Sequence, residues 1–197
     1  MLVLAAGKAR RFGGPKQCAV VDGVPLVRRA ALAGLAVGAH VVVVTGARAD
    51  AVADALRGLP LEMLHNAEWA DGMGASIACG IRHVAQNPAA RATLICLSDQ
   101  PLVGAAQLQR LIEAHRYAPD HIIAADHGPT RGPPCIFPRR FYQDLAALSG
   151  AEGARQLLAG HAAKVRSVAM PEASIDIDTR EDFQRLLADP YHRDLSV

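Results

Sequence analysis

Four consecutive valines, Val41–Val44, are the strongest constraint on what this chain can fold into. An uninterrupted β-branched run suits a strand covered on both faces, the setting of a parallel sheet flanked by helices. The valines lie in an apolar run over His40–Thr45. Similar runs occupy Met1–Ala5, Leu61–His65, Ala92–Leu97, His121–Ala125 and Pro134–Phe137. Between them, helical patterns cover Pro25–Val37, Ala49–Leu56, Gly74–Val84, Ala105–His115, Arg139–Leu148 and Gly153–Gly160. A last helix follows Thr179, which reads as an N-cap three residues before Asp182. This alternation predicts an α/β fold with a mostly parallel central sheet and a helical layer on each face, a Rossmann-like three-layer α/β/α arrangement. Asp22-Gly23 reads as a hairpin turn, and Asp126–Pro134 as a loop inserted over the site.

The 197 residues suit one domain spanning 1–197. With 51% hydrophobic and 20% charged residues the composition is globular, which excludes a disordered chain. A net charge of +2 gives no argument for a nucleic-acid or membrane partner. Cys18, Cys79, Cys96 and Cys135 form no CxxC pair, so neither a zinc site nor a redox motif is expected. The first residues read as a strand and not as a secretory leader, and no apolar stretch is long enough to span a bilayer. A reduced, cytoplasmic protein is the expectation, monomeric or weakly dimeric.

In open α/β sheets ligands bind beyond the carboxyl ends of the strands. Four segments at such positions carry unusual residues. The first, Leu4-Ala5-Ala6-Gly7-Lys8-Ala9-Arg10-Arg11-Phe12-Gly13-Gly14-Pro15-Lys16-Gln17, is rich in glycine and cations, a combination suited to a polyphosphate. It matches neither GxxxxGK[ST] nor GxGxxG. The second is Asn66-Ala67-Glu68-Trp69-Ala70-Asp71-Gly72-Met73-Gly74-Ala75-Ser76, where Ser76 falls in a first helical turn with free N–H groups. Trp69 reads as rim packing or as a stacking platform for a base. The third is Leu97-Ser98-Asp99-Gln100-Pro101, which ends an apolar strand in a carboxylate. Such a carboxylate either caps the following turn or holds a Mg²⁺ on phosphate oxygens. The fourth is Ile175-Asp176-Ile177-Asp178-Thr179-Arg180-Glu181-Asp182, read as a strand with Asp176 and Asp178 facing one side.

The first segment resembles the LAAGxxxRMGxxK signature of nucleotidyltransferases with a glycosyltransferase-A-like fold, with Phe12 in place of the usual Met. LAAG, where the guanylyl branch has LAGG, together with Pro15-Lys16-Gln17, resembles the molybdenum cofactor cytidylyltransferase family. The other segments are similar to that family's N-x-x-[WY]-x-x-G-M-x-x-S, LxDQP and D-[IV]-D-T-P-E-D patterns, with Arg180 in place of the Pro. The resemblance implies transfer of CMP from CTP to the phosphate of molybdopterin or its molybdenum-loaded form, with release of pyrophosphate. It implies nucleotide contacts from Leu4, Ala5, Ala6, Gly7, Arg11, Lys16, Gly72, Met73, Ser76, Ser98 and Asp99. Arg11, Lys16 and Asp99 would be the catalytic set. Mg²⁺ would sit on Asp99 and Asp178, with Asp176 the alternative. A molybdenum hydroxylase or its maturation factor would be a further partner. The competing readings are transfer to another phosphorylated small molecule, a non-catalytic cofactor carrier or insertion chaperone, and a redox enzyme on the same scaffold. Arg131, Arg139, Arg140 and Arg155 read first as a solvated face.

Overall fold

A computed structural model describes residues 1–128, 130–151 and 153–188. Its strands are β1 (Leu2–Ala5), β2 (Val20–Val21), β3 (Val24–Pro25), β4 (Val42–Thr45), β5 (Glu62–His65), β6 (Ala92–Leu97), β7 (Ile122–Asp126), β8 (Arg131–Pro138) and β9 (Val165–Ala169). Its helices are α1 (Leu26–Ala36), α2 (Ala49–Leu56), α3 (Met73–Ala85), α4 (Ala105–Tyr117), α5 (Tyr142–Ala146), α6 (Ala154–Gly160) and α7 (Arg180–Ala188). The main sheet runs β5-β4-β1-β6-β8-β7-β9. Strand β8 pairs antiparallel with β6 and β7, and the other pairings in this sheet are parallel.

The valine run behaves as its composition demands. Val42 and Val44 point into one layer with Leu2, Leu4, Ile77 and Ile81 from β1 and α3. Val41 and Val43 point into the other with Val3, Val27, Ala31 and Val52 from β1, α1 and α2. Leu94, Cys96, Leu108 and Leu111 extend that second layer under α4. Side chains alternate across each strand, so both faces of the sheet are covered. Each fully buried Leu, Ile or Val contributes about 1.5–3 kcal/mol. That burial fixes the register, since a one-residue slip would turn every core side chain to the wrong layer.

From β1 the chain passes to β4 and β5 on one side, then returns to β6 on the other. The strand order therefore reverses between β1 and β6, and at such a point the loops diverge and leave a crevice. Asp22 and Gly23 both take positive φ, 50° and 79°, and close the β2–β3 hairpin as a left-handed two-residue turn.

Three expectations are corrected. Asp126 and Arg131–Pro134 are strand and not a loop over the site, because β7 runs to Asp126 and β8 begins at Arg131, with His127 N–H donating to Thr130 O between them. The Ile175–Asp178 segment is extended but outside any sheet, so the two-sided alternation expected of a strand does not apply. Arg139–Leu148 breaks into a 3-10 turn over Arg139–Phe141 followed by the short α5. The structure also adds β9, whose Val-Arg-Ser-Val-Ala sequence is mostly exposed at the sheet edge and carries little apolar signal.

Candidate functional site

The crevice beyond β1 and β6 holds a cavity of about 280 Å³. It is lined by Leu4, Ala5, Ala6, Gly7, Ala9, Lys16, Gln17, Trp69, Gly72, Met73, Ser76, Leu97, Ser98, Asp99 and Asp178. Ten of the residues expected to contact nucleotide therefore share one space. Arg11 stands at its margin, reaching it through Asp178. Asp176 does not line it. That residue borders two neighbouring depressions, one shared with Gln100, His127 and Arg155.

Lys16 is the centre of the charge arrangement. Its ammonium lies 2.7 Å from Asp99 Oδ2 and 2.9 Å from Asp178 Oδ1. Arg11 Nη2 lies 2.7 Å from the second oxygen of Asp178. Burial opposes the charge on Lys16, but Asp99 and Asp178 outweigh it and hold the ammonium above its ordinary value. Burial likewise works to raise Asp178, yet Lys16 and Arg11 hold it below the usual carboxylate range. Asp176 is pushed the other way, by burial first and then by the charges of Asp178 and Asp99. The carboxylates thus divide into one stabilised as an anion and one that resists ionisation.

Local chemistry fixes each of these groups. Asp99 leaves the end of β6 directly, and its backbone carbonyl accepts from Ile177 N–H at 2.9 Å. Ile177 is fully buried against Phe12, Leu26 and Leu186, which anchors the segment carrying Asp178. Asp182 Oδ2 accepts from the backbone N–H of Asp178 at 3.1 Å and of Thr179 at 2.8 Å, while Thr179 Oγ1 accepts from Asp182 N–H at 3.1 Å. This reciprocal cap starts α7, as Thr179 predicted, and pins Asp178 at the same time. Hydrogen bonds from Thr179 hold the Asp182 carboxyl below its ordinary range.

The glycine-rich loop is held from beneath by Gln17, whose Nε2 donates to Ala5 O at 3.3 Å and to Gly7 O at 2.6 Å. A polar side chain followed by an apolar run was the available signal for this buried clamp. Phe12 packs edge-on against Phe183 with ring centres 5.9 Å apart. Arg180 covers the same ring at 5.7 Å and donates from Nε to Phe12 O at 3.2 Å. The two departures from the expected motif, Phe12 and Arg180, therefore contact each other. An aromatic ring in place of Met gives an arginine in place of Pro its cation–π partner.

At the start of α3 the glycines have a packing reason. A Cβ on Gly72, which has φ 115°, would fall 2.3 Å from Gly150 O, and one on Gly74 would fall 2.5 Å from Ser149 O. Gly74 N–H donates to Gly150 O at 3.0 Å, so part of the helix N-terminus is already satisfied. Ser76 is buried and accepts from Asn66 Nδ2 at 3.1 Å, keeping its hydroxyl proton free for the cavity. Trp69 packs so tightly over Gly46 that a Cβ there would lie 2.5 Å from its own. It is both rim packing and cavity wall. Arg139 lies elsewhere, donating to the carbonyls of Ala85, Asn87 and Ala90 at the far end of α3.

Among the described residues no group of three or more His, Cys, Asp or Glu side chains forms a preassembled metal cage. Asp99 and Asp178 nonetheless fit a hard cation completed by ligand oxygens. Both already share a single cationic atom, and Asp99 Oδ1 is buried with no hydrogen-bond partner among the described residues. Mg²⁺ and Mn²⁺ commonly take one or two carboxylates and fill the remaining positions with phosphate and water.

The chain is similar to known proteins over most of its length. Residues 1–165 match the MobA-like NTP transferase domain family. Nicotine blue oxidoreductase of Paenarthrobacter nicotinovorans is 33% identical over 200 residues, covering 94% of this chain and 95% of that protein. A homolog of Mycobacterium tuberculosis Rv0371c from Mycobacterium sp. strain JC1 is 27% identical and superposes with a TM-score of 0.81, covering 99% of this chain and 96% of that one. Rv0371c of Mycobacterium tuberculosis H37Rv in complex with manganese is 26% identical with a TM-score of 0.76, covering 95% and 96%. The family match ends before Asp176 and Asp178, so their placement rests on the packing described above.

Proposed function

Since the chain belongs to the MobA-like NTP transferase domain family, we propose that it transfers CMP from CTP to the phosphate of a molybdopterin-type acceptor, releasing pyrophosphate. The observation that carries the transfer chemistry is the Lys16 ammonium held between Asp99 and Asp178 beside the glycine-rich loop. Gly7 and its neighbours offer backbone N–H groups to the triphosphate, and Lys16 and Arg11 neutralise the pyrophosphate as it departs. An acceptor phosphate oxygen attacks the α-phosphorus while the bond to the β-bridging oxygen breaks, so pyrophosphate leaves with the electron pair. That oxygen is already ionised at neutral pH, and the site needs no general base. A divalent cation, Mg²⁺ in this reading, would be held by Asp99 and Asp178 and would supply charge stabilisation to the phosphates. Manganese in the Rv0371c complex supports a divalent-metal requirement. The cytidine preference rests on LAAG, and the acceptor on the resemblance of the four segments.

The test is incubation of purified protein with Mg²⁺, molybdopterin and each of CTP, GTP, ATP and UTP, followed by mass spectrometry. A product heavier by CMP establishes both donor and acceptor. Turnover with another nucleotide, or with a sugar or isoprenoid phosphate only, moves the activity to a neighbouring specificity. Tight pterin binding without turnover makes the protein a carrier. A redox reading draws on the 33% identical nicotine blue oxidoreductase. The loop after β1 lacks GxGxxG, and oxidation of a reduced nicotinamide nucleotide in the same preparation would decide for it.

A further inference from the structure

The position best suited to a cation in this site is already taken by the protein's own ammonium. We propose that Lys16 is an internal stand-in for the divalent cation, keeping free metal out of the nucleotide-free protein so that metal enters only with the nucleotide. The inference rests on the function proposed above and concerns the loading of that same site.

Nζ sits 2.7 Å from Asp99 Oδ2 and 2.9 Å from Asp178 Oδ1. A metal bound by the same two oxygens at about 2.0–2.1 Å would need the volume that Nζ fills. The two cations are therefore alternatives for those oxygens. Lys16 is well buried, its side chain 12% exposed, so the pair of contacts is shielded from solvent. Its four-carbon stem lets the head move several ångströms without disturbing the backbone.

Two features let the site survive the exchange. Arg11 holds the other oxygen of Asp178 at 2.7 Å, and the Asp182 cap holds its backbone, so Asp178 keeps its aim when Lys16 departs. Asp99 Oδ1 is buried and unpaired among the described residues, an acceptor that Lys16 alone does not satisfy. A triphosphate entering beside Gly7 and Ala9 brings several negative charges to the same wall of the cavity. It draws the ammonium off the carboxylates and delivers a metal in exchange. Lys16 thereby passes from carboxylate partner to phosphate partner in one step.

The experiment is Mn²⁺ titration of the full chain without nucleotide, followed by loss of the free-Mn²⁺ electron paramagnetic resonance signal, for wild type, Lys16→Met and Lys16→Gln. Coupling between two distinct linked sites is commonly about 5- to 150-fold, and exclusion from the same two oxygens should reach that range. Both variants should therefore bind Mn²⁺ at least about tenfold more tightly than wild type. Circular dichroism melts confirm folding, and the second variant serves if the first fails to fold. In parallel, equilibrium dialysis measures CTP retention by wild type with and without Mn²⁺, with Mn²⁺ strengthening retention. Variants that bind Mn²⁺ no better than wild type, while wild type retains CTP with Mn²⁺, overturn the stand-in role and leave the nucleotidyl-transfer reading intact. Wild type that retains no CTP under either condition overturns the CTP-transfer reading, whereas the stand-in role is decided by the Mn²⁺ affinities of the variants.

Discussion

At the scale of single residues, the site depends on four charged side chains that meet one another directly: Arg11, Lys16, Asp99 and Asp178. Asp99 meets Lys16 at 2.7 Å and offers a second, unpaired oxygen. Asp99→Ala removes both, and pyrophosphate release from CTP plus acceptor should fall below detection. Near-wild-type release would exclude Asp99 from the chemistry. A charge-assisted contact is worth about 1.5–3 kcal/mol, so Lys16→Ala should slow turnover at least about tenfold even as it opens the carboxylates. Phe12 and Arg180 form the second residue-level test. In urea melts, Phe12→Leu and Arg180→Ala should each destabilise, and the double variant should lose less than the sum. The shortfall should be about 0.5–1 kcal/mol, the size of an exposed cation–π contact. Strict additivity would show that the contact in the fold has no energetic coupling. The charged and glycine residues of the loop were legible because their types suit phosphate. The Phe12–Arg180 contact was not, because it joins positions 168 residues apart and neither residue has a periodic signal.

At the scale of elements, the parallel strands and the long helices were readable from Val41–Val44 and from the spacing of apolar positions in α3 and α4. Strand β9 escaped because its side chains are mostly exposed and its pairing with β7 is made by backbone. The 131–138 strand was cut short because its proline-rich start reads as loop, although that strand is buried from Gly132 onward. Helix α7 is the element with the sharpest functional consequence. Its cap ties Thr179 and Asp182 together and holds the Asp178 amide. Thr179→Ala should cost about 0.5–2 kcal/mol in a urea melt, the usual loss for an N-cap. Because the same hydrogen bonds orient Asp178, the variant should also raise the Mn²⁺ concentration needed for half-maximal turnover. A variant that loses stability with an unchanged metal requirement would separate the cap from the site.

At the scale of the whole molecule, three distant stretches meet in one charge cluster: the loop after β1, the end of β6 and the segment before α7. Its pH dependence follows from the direction of each shift. Asp178 is depressed in the folded protein, so its stabilisation is present above the ordinary Asp value of about 3.9 and is lost as pH falls through the folded value. Lys16 is raised, so its contribution is present below about 10.4 and is lost as pH rises through the folded value. Asp176 is raised, so its ionisation works against folding above about 3.9. Asp178→Asn should therefore flatten the fall in melting temperature below about pH 4, while Asp176→Asn should hold or raise the melting temperature at pH 7. The opposite ranking would reverse the assignment of the anion that the fold stabilises. The sheet order that brings these stretches together follows from alternating elements. Their final approach depends on Ile177 packing beside Phe12, which no local pattern announces.

The docking of α7 onto the first loop also orders events in time. Lys16 is synthesised well ahead of its partner Asp178, which lies 162 residues further along the chain. The segments that form β1, β4, β5 and β6, with Asp99 at the end of β6, all precede the second carboxylate in the chain. Every incomplete chain, and every product clipped ahead of Ile177, would present the cationic loop with its cluster unfinished. A chain that stops short of Asp178 lacks one of the two carboxylates around Lys16, so completion of the cluster waits on the segment before α7.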